Sequence, residues 1–225
     1  MKLKNISLLV LMICLFSLTN LLSADFSLLM THDSRYIFDG IDFAGQDDAA
    51  VDIFGVSMQE KNLGGFVYVA ITPDYFEWGL DLNYTFELGQ QPSLKPTFFP
   101  FGWTKHKETN WGAIFSIESP LHNSVAPLNA RYAYAHIPEL KELNGHYFYL
   151  GVNKKILGFD TGAGPNYNQG YITGDNKGVG EILGISKSIE LSEQVFLDAY
   201  FKYYINHPSV NEDEQVIGAT LVVKL

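Results

Sequence analysis

Strict alternation of apolar and polar side chains is the strongest pattern in the chain. From Glu77 to Leu88 one parity reads Trp78, Leu80, Leu82, Tyr84, Phe86, Leu88, and the other reads Glu77, Gly79, Asp81, Asn83, Thr85, Glu87. Successive side chains of a β-strand point to opposite faces, so this segment predicts a strand with one apolar face and one polar face. Val195 to Asn206 repeats the pattern, with Val195, Leu197, Ala199, Phe201, Tyr203 and Ile205 set against Phe196, Asp198, Tyr200, Lys202, Tyr204 and Asn206. Weaker versions run along Asn110 to Glu118, Leu128 to His136 and His146 to Asn153. Further strands are expected near 26–39, 50–59, 65–72, 94–104, 158–168, 179–190 and 214–225, although Lys187 falls on the apolar parity of its segment. No helix-period segment of useful length follows Ala24, and no later run is long enough to cross a membrane as a helix.

Two all-β architectures accommodate this alternation. A soluble sandwich buries the apolar faces between two sheets. A membrane barrel turns them to lipid and keeps the polar faces inside. Two segments carry eleven or twelve alternating residues, which matches the ~9–11 of a tilted spanning strand and exceeds the five or six usual in globular sheets. The polar parity includes Tyr200, Lys202 and Tyr204, which suits a filled or wet lumen. With the N-terminus on the periplasmic side, the outer connections fall near 40–49, 73–76, 105–109, 138–145, 169–178 and 207–213. The inner ones fall near 60–64, 89–93, 119–125, 155–157 and 191–194. The outer set is longer on average, as in barrels with short periplasmic turns. The expected fold is therefore an antiparallel transmembrane β-barrel of about 12 strands, with 10–14 as the bounds. The last segment ends on one parity with Ile217, Ala219, Leu221, Val223 and Leu225. It resembles the terminal strand through which outer-membrane barrels engage the barrel-assembly machinery, with Leu225 where an aromatic is usual.

The first 24 residues read as a cleaved signal peptide. Lys2 and Lys4 form a basic start, Ile6 to Phe16 an apolar core, and Leu22-Ser23-Ala24 a plausible cleavage site. The barrel then occupies 25–225. Cys14, the single cysteine, would leave with the leader, which excludes disulfides, cysteine nucleophiles and thiolate metal sites in the remaining chain.

Composition narrows the function. Aromatic residues make up 14% of the 225 residues and charged ones only 18%, which excludes a disordered chain. The formal net charge of −10 repels phosphate backbones, so nucleic-acid partners are set aside.

At Ser34-Arg35-Tyr36-Ile37-Phe38-Asp39-Gly40-Ile41 the sequence resembles the opening strand of a family of exported bacterial proteins of uncharacterised function, whose members read roughly Ser-x-Tyr-x-x-Arg-Gly there. Tyr147-Phe148-Tyr149-Leu150-Gly151-Val152, Gly162-Ala163-Gly164 with Tyr167-Asn168, and a closing pair of strands are similar in style. The resemblance implies an outer-membrane barrel and no activity. Asp39 stands where the family has Arg, so no role of that basic residue carries over.

Candidate chemistry is sparse. Asp39, Asp42, Asp47, Asp48 and Asp52 make the first outer loop acidic, but apolar residues stand where an EF-hand would need oxygen ligands, so a solvated loop is expected. His207, Ser209, Glu212, Asp213 and Glu214 have the residue types of a hydrolytic triad, yet they follow one another in a Pro208-containing turn with no nucleophile elbow. The six histidines (32, 106, 122, 136, 146, 207) show no metal-ligand spacing. His32 and His136 are expected at an interface or lining the lumen. Gly162-Ala163-Gly164-Pro165 lacks the residues of a phosphate loop and reads as a strand end. No catalytic residue, metal or cofactor is assigned.

The inward parity should carry Glu77, Asp81, Glu87 and Asp198, partly offset by Arg131 and Lys202, with Tyr147, Tyr149, Tyr200 and Tyr204 beside them. The functional expectation is a narrow diffusion channel or small-solute binder with an acidic, cation-preferring lumen. A non-transporting surface barrel plugged by those tyrosines, and a soluble glycan-binding sandwich, stand as alternatives.

Overall fold

The computed structural model describes residues 24–35, 37–38, 41–42, 49–88, 93–105, 108–121, 128–172, 177–205 and 213–225. The leader, residues 1–23 of the proposed 1–24, lies outside them. Within them twelve long strands follow one another: β1 (Asp25–Asp33), β2 (Val51–Glu60), β3 (Leu63–Ile71), β4 (Tyr75–Tyr84), β5 (Ser93–Lys105), β6 (Glu108–Leu121), β7 (Leu128–His136), β8 (Gly145–Ile156), β9 (Phe159–Gln169), β10 (Lys177–Ser192), β11 (Val195–Ile205) and β12 (Glu214–Lys224). Each pairs antiparallel with its chain neighbours, and β1 pairs with β12 so that Leu28 stands opposite Val223. The sheet is thus a closed barrel of twelve strands. Closure leaves no free sheet edge, the condition for β-structure in a hydrocarbon medium.

Register fixes the faces. One parity carries Tyr68, Tyr75, Phe99, Phe101, Ala133 and Tyr147, which come from five strands and form one buried cluster. This is the inside. The other parity carries Leu28, Phe54, Trp111, Phe115, Ile117, Leu150, Leu183, Ile185 and Ile217, all exposed. A soluble monomer seldom exposes apolar area on this scale, whereas a spanning barrel turns such a band to lipid. The sandwich alternative fails on both counts, since the sheet closes on itself and its apolar face is the outer one.

The expected boundaries change in kind at two strands, while those expected over 110–118 and 146–153 only run longer. The opening strand ends at Asp33 rather than near 39. Asp33 is the last residue paired on both sides, to Val51 and to Gly218. Ser34 then closes the seam, its N–H donating to the Ile217 carbonyl and its Oγ accepting from the Ile217 N–H. Beyond it, Ile37–Phe38 and Ile41–Asp42 form a two-residue ladder apart from the barrel. The segment expected over 77–88 starts at Tyr75 and is interrupted at Thr85, whose N–H donates to the Asn62 carbonyl, before Phe86–Glu87 rejoins β5. Gly162-Ala163-Gly164-Pro165 lies within β9 rather than at its end. A Cβ at 164 would overlap the Leu150 carbonyl, and the β8–β9 register skips this point.

Candidate functional site in the barrel lumen

The lumen is the one concave surface the fold builds from every strand. The ten residues predicted to line it all fall on the inward parity. Glu77 stands opposite Trp103, with Asp81 on the same face of β4 and Glu87 on its continuation opposite Ser93. Arg131 stands opposite Tyr149 and Glu118, and Tyr147 opposite Asn168. On β11, Asp198, Tyr200, Lys202 and Tyr204 alternate inward.

Half of the interior is filled from the β2–β8 wall. Phe66, Tyr68, Phe99, Phe101 and Trp103 stack in succession with centroids 5.4 to 5.9 Å apart. Tyr68 lies flat over Gly79, where a Cβ would collide with its ring. From there its hydroxyl donates to Glu77, which also accepts from Tyr75. Glu77 is 3% exposed. A carboxylate so buried requires charge-assisted donors, and the two phenols supply them. Tyr68, Tyr75, Phe99, Phe101 and Trp103 are absent from the sequence-based assignment. Their signal is that Phe98-Phe99 and Phe101 put apolar side chains on both parities of β5, one set for lipid and one for the interior.

At the end of the lumen opposite the chain termini, a cap packs over the β8–β9 side. Tyr171 is fully buried against Tyr147, ring centroids 5.6 Å apart. Its N–H donates to the Asn168 side-chain oxygen at 2.9 Å, and the Ile172 N–H donates to the Leu143 carbonyl at 2.9 Å. Gly170 and Ile172 both adopt positive φ. That conformation is costly for a β-branched residue, and the latch to Leu143 holds it. The short turns at 61–62, 157–158 and 193–194 share the other end with the termini, so the capped end faces outward.

The opposite wall is rich in glycine. Gly162 and Gly164 of β9, Gly178, Gly180 and Gly184 of β10, and Gly218 of β12 all occupy inward positions. Tyr200 crosses Gly218 and donates to Asp33 of β1. A cavity of about 530 Å³ opens over Gly162 and Gly184. Several inward carboxylates away from it are held by neighbours: Asp81 by Asn83 at 2.5 Å and Glu118 by Asn129 at 2.8 Å.

Among the described residues the other predicted groups do not gather into a site. Asp39, Asp47 and Asp48 lie outside the described residues, as do His207, Ser209 and Glu212. Asp42 pairs with Ile37 in the small ladder. His32 is on the exterior, its Nδ1 2.8 Å from Asp52. His136 also lies on the outward parity, opposite Ala113. His146 is there too, 2.8 Å from the Tyr132 hydroxyl. Tyrosine and histidine at this level form the aromatic girdle of an outer interface. His106 and His122 lie outside the described residues.

No family model and no curated protein sequence matches the chain. Solved structures do. The chain is similar to KdgM porin in complex with disordered oligogalacturonate, with a TM-score of 0.61 at 11% identity over 88% of this chain and 99% of that one. NanC porin gives 0.56 at 12% identity over 88% and 100%. The β domain of the Bordetella autotransporter BrkA gives 0.54 at 10% identity over 89% and 99%. The fold is that of an outer-membrane barrel.

Proposed function

We propose that the chain is a narrow diffusion channel of the outer membrane and not an enzyme, its path running between the aromatic cluster and the glycine wall. The observation that carries this reading is the asymmetry of the interior. Large side chains enter from β2–β8, whereas β9 and β10 carry glycine at five inward positions, 162, 164, 178, 180 and 184. Twelve strands leave a bore between those of filled eight-stranded barrels and open sixteen-stranded porins, and the aromatic cluster narrows it further. Asp25, Glu87, Asp198 and Glu190 share the inward parity toward the periplasmic end with Lys95, Lys155 and Lys224. Net acidic charge in the bore favours cations modestly. Assembly through the C-terminal strand ending at Leu225 belongs to the same reading, as does removal of residues 1–24.

Reversal potentials in a planar bilayer test it. A small conductance with potassium favoured over chloride is expected. Anion preference removes the selectivity, and absence of conductance removes the channel. The buried Tyr171 cap favours a second reading, in which the barrel is closed at its outer mouth and serves as a surface protein. Stable insertion without conductance, unchanged when the cap is removed, is its signature.

A further inference from the structure

From the cavity over Gly162 and Gly184 we infer a binding station for a small hydroxylated carboxylate. The inference rests on the lumen being accessible to solutes, as proposed above.

The cavity's position follows from the sequence. Gly162 on β9 and Gly184 on β10 are register partners, so two adjacent inward positions lack side chains and leave a floor of backbone. A Cβ at 184 would have the Gly162 carbonyl 3.9 Å away and no closer neighbour, which confirms the open space above it. The cavity of about 530 Å³ falls in the range of small-molecule sites.

The surrounding groups are chemically mixed. Of the three lysines at the cavity Lys154 lies on the outward parity, so Lys155 and Lys202 bring the two inward ammonium groups, and Asp160 brings one carboxylate. That carboxylate stands 3.8 Å from the Lys155 Nζ. Lys202 lies 5.0 Å over the ring of Tyr200, and its side chain is exposed. No carboxylate stands within ion-pair distance of Lys202 among the described residues. Asp33, which accepts the Tyr200 hydroxyl, meets Lys202 only as a longer-range charge. Asp198 lies one inward position further along β11 and does not line the cavity. The station thus carries one positive charge beyond its internal pairing, within a lumen whose inward acids outnumber its bases. A carboxylate answers that charge. Asn153 and Ser186 add an amide and a hydroxyl, groups that bond ligand hydroxyls in both senses. A simple inorganic anion would leave them unused, and a neutral sugar would leave Lys202 without a counter-charge.

Calorimetric titration of the folded, detergent-solubilised barrel tests this without requiring conductance. The probe is D-gluconate, with D-glucose and acetate as controls. Gluconate should bind, and each control about tenfold more weakly or worse. Lys202→Gln should weaken gluconate about tenfold while the boiled and unboiled bands still migrate differently. Should that variant fail to fold, Lys155→Gln and Gly184→Val, which fills the floor, should each lower affinity. Glucose binding as tightly as gluconate, no gluconate binding, or wild-type affinity in the folded variants would overturn the station. Conductance without gluconate binding removes the station and keeps the channel. Lys202-dependent binding without conductance removes the channel and keeps the station.

Discussion

Tyr200 reaches Asp33 from two strands away, its hydroxyl donating to the carboxylate across Gly218 on the strand between. The contact ties β11 to β1 over β12, where the two ends of the chain close the barrel. It exists because position 218 has no side chain: a Cβ there would overlap both the Tyr200 ring and the Asp33 carboxylate. Gly218→Val should therefore displace the phenol and cost about 1–3 kcal/mol of overpacking. Tyr200→Phe, which keeps the ring and loses the bond to a charged group, should cost about 1.5–3 kcal/mol. Urea unfolding in lipid bilayers, followed by band migration, measures both.

The same device recurs at Tyr68, Gly79 and Glu77, with a buried acceptor. Removing a phenol donor from a buried carboxylate leaves charge poorly solvated. Tyr68→Phe should destabilise by about 1.5–3 kcal/mol. Glu77→Gln should be milder than Glu77→Ala, because an amide oxygen can still accept from a phenol. If Glu77→Ala is as stable as the wild type, the carboxylate is not anchoring this wall.

Tyr171→Ala opens the outer cap. In the channel reading single-channel conductance rises, while the loss of a fully buried aromatic side chain costs about 3–5 kcal/mol. A variant that folds and conducts like the wild type would show that ions do not pass Tyr171.

Face assignment is tested by a pair of arginines on β10. Leu183 points outward and is 40% exposed; Ser188 points inward. Leu183→Arg puts a charge against hydrocarbon and should cost about 2–4 kcal/mol near the midplane, whereas Ser188→Arg should fold normally and reduce cation preference. The reverse order of stabilities would mean the parities are inverted.

Much of the fold is legible from alternation alone, because period two is imposed wherever one face meets lipid. Lys187 is instructive. It lies on the apolar parity, as its position in sequence implies, and its Nζ sits 5.0 Å over the ring of Phe159 on the next strand. Strand ends were less legible. Ile37-Phe38 continues the local alternation of β1, but the ladder stops where Asp33 meets Val51 and Gly218, and those partners are remote in sequence. The lumen was half legible. Charged and tyrosine residues on a clean polar parity, such as Asp198 to Tyr204, announce the inward face. The aromatic cluster does not, because Phe99 and Phe101 sit beside Phe98 in a segment apolar on both parities. The station over Gly162 and Gly184 was invisible for another reason: it is defined by side chains that are missing, aligned only by register.

The most direct test is a cysteine pair across the seam. Leu28→Cys and Val223→Cys replace register partners on β1 and β12, in a chain of residues 25–225 that contains no other cysteine. Adjacent antiparallel positions bring Cα atoms within disulfide range. Oxidation of the folded, membrane-inserted protein should give an intramolecular disulfide that changes migration of the boiled, unreduced band, and the single variants should not. Failure of the folded pair to cross-link, or cross-linking only between molecules, would contradict a closed barrel and the lumen built on it.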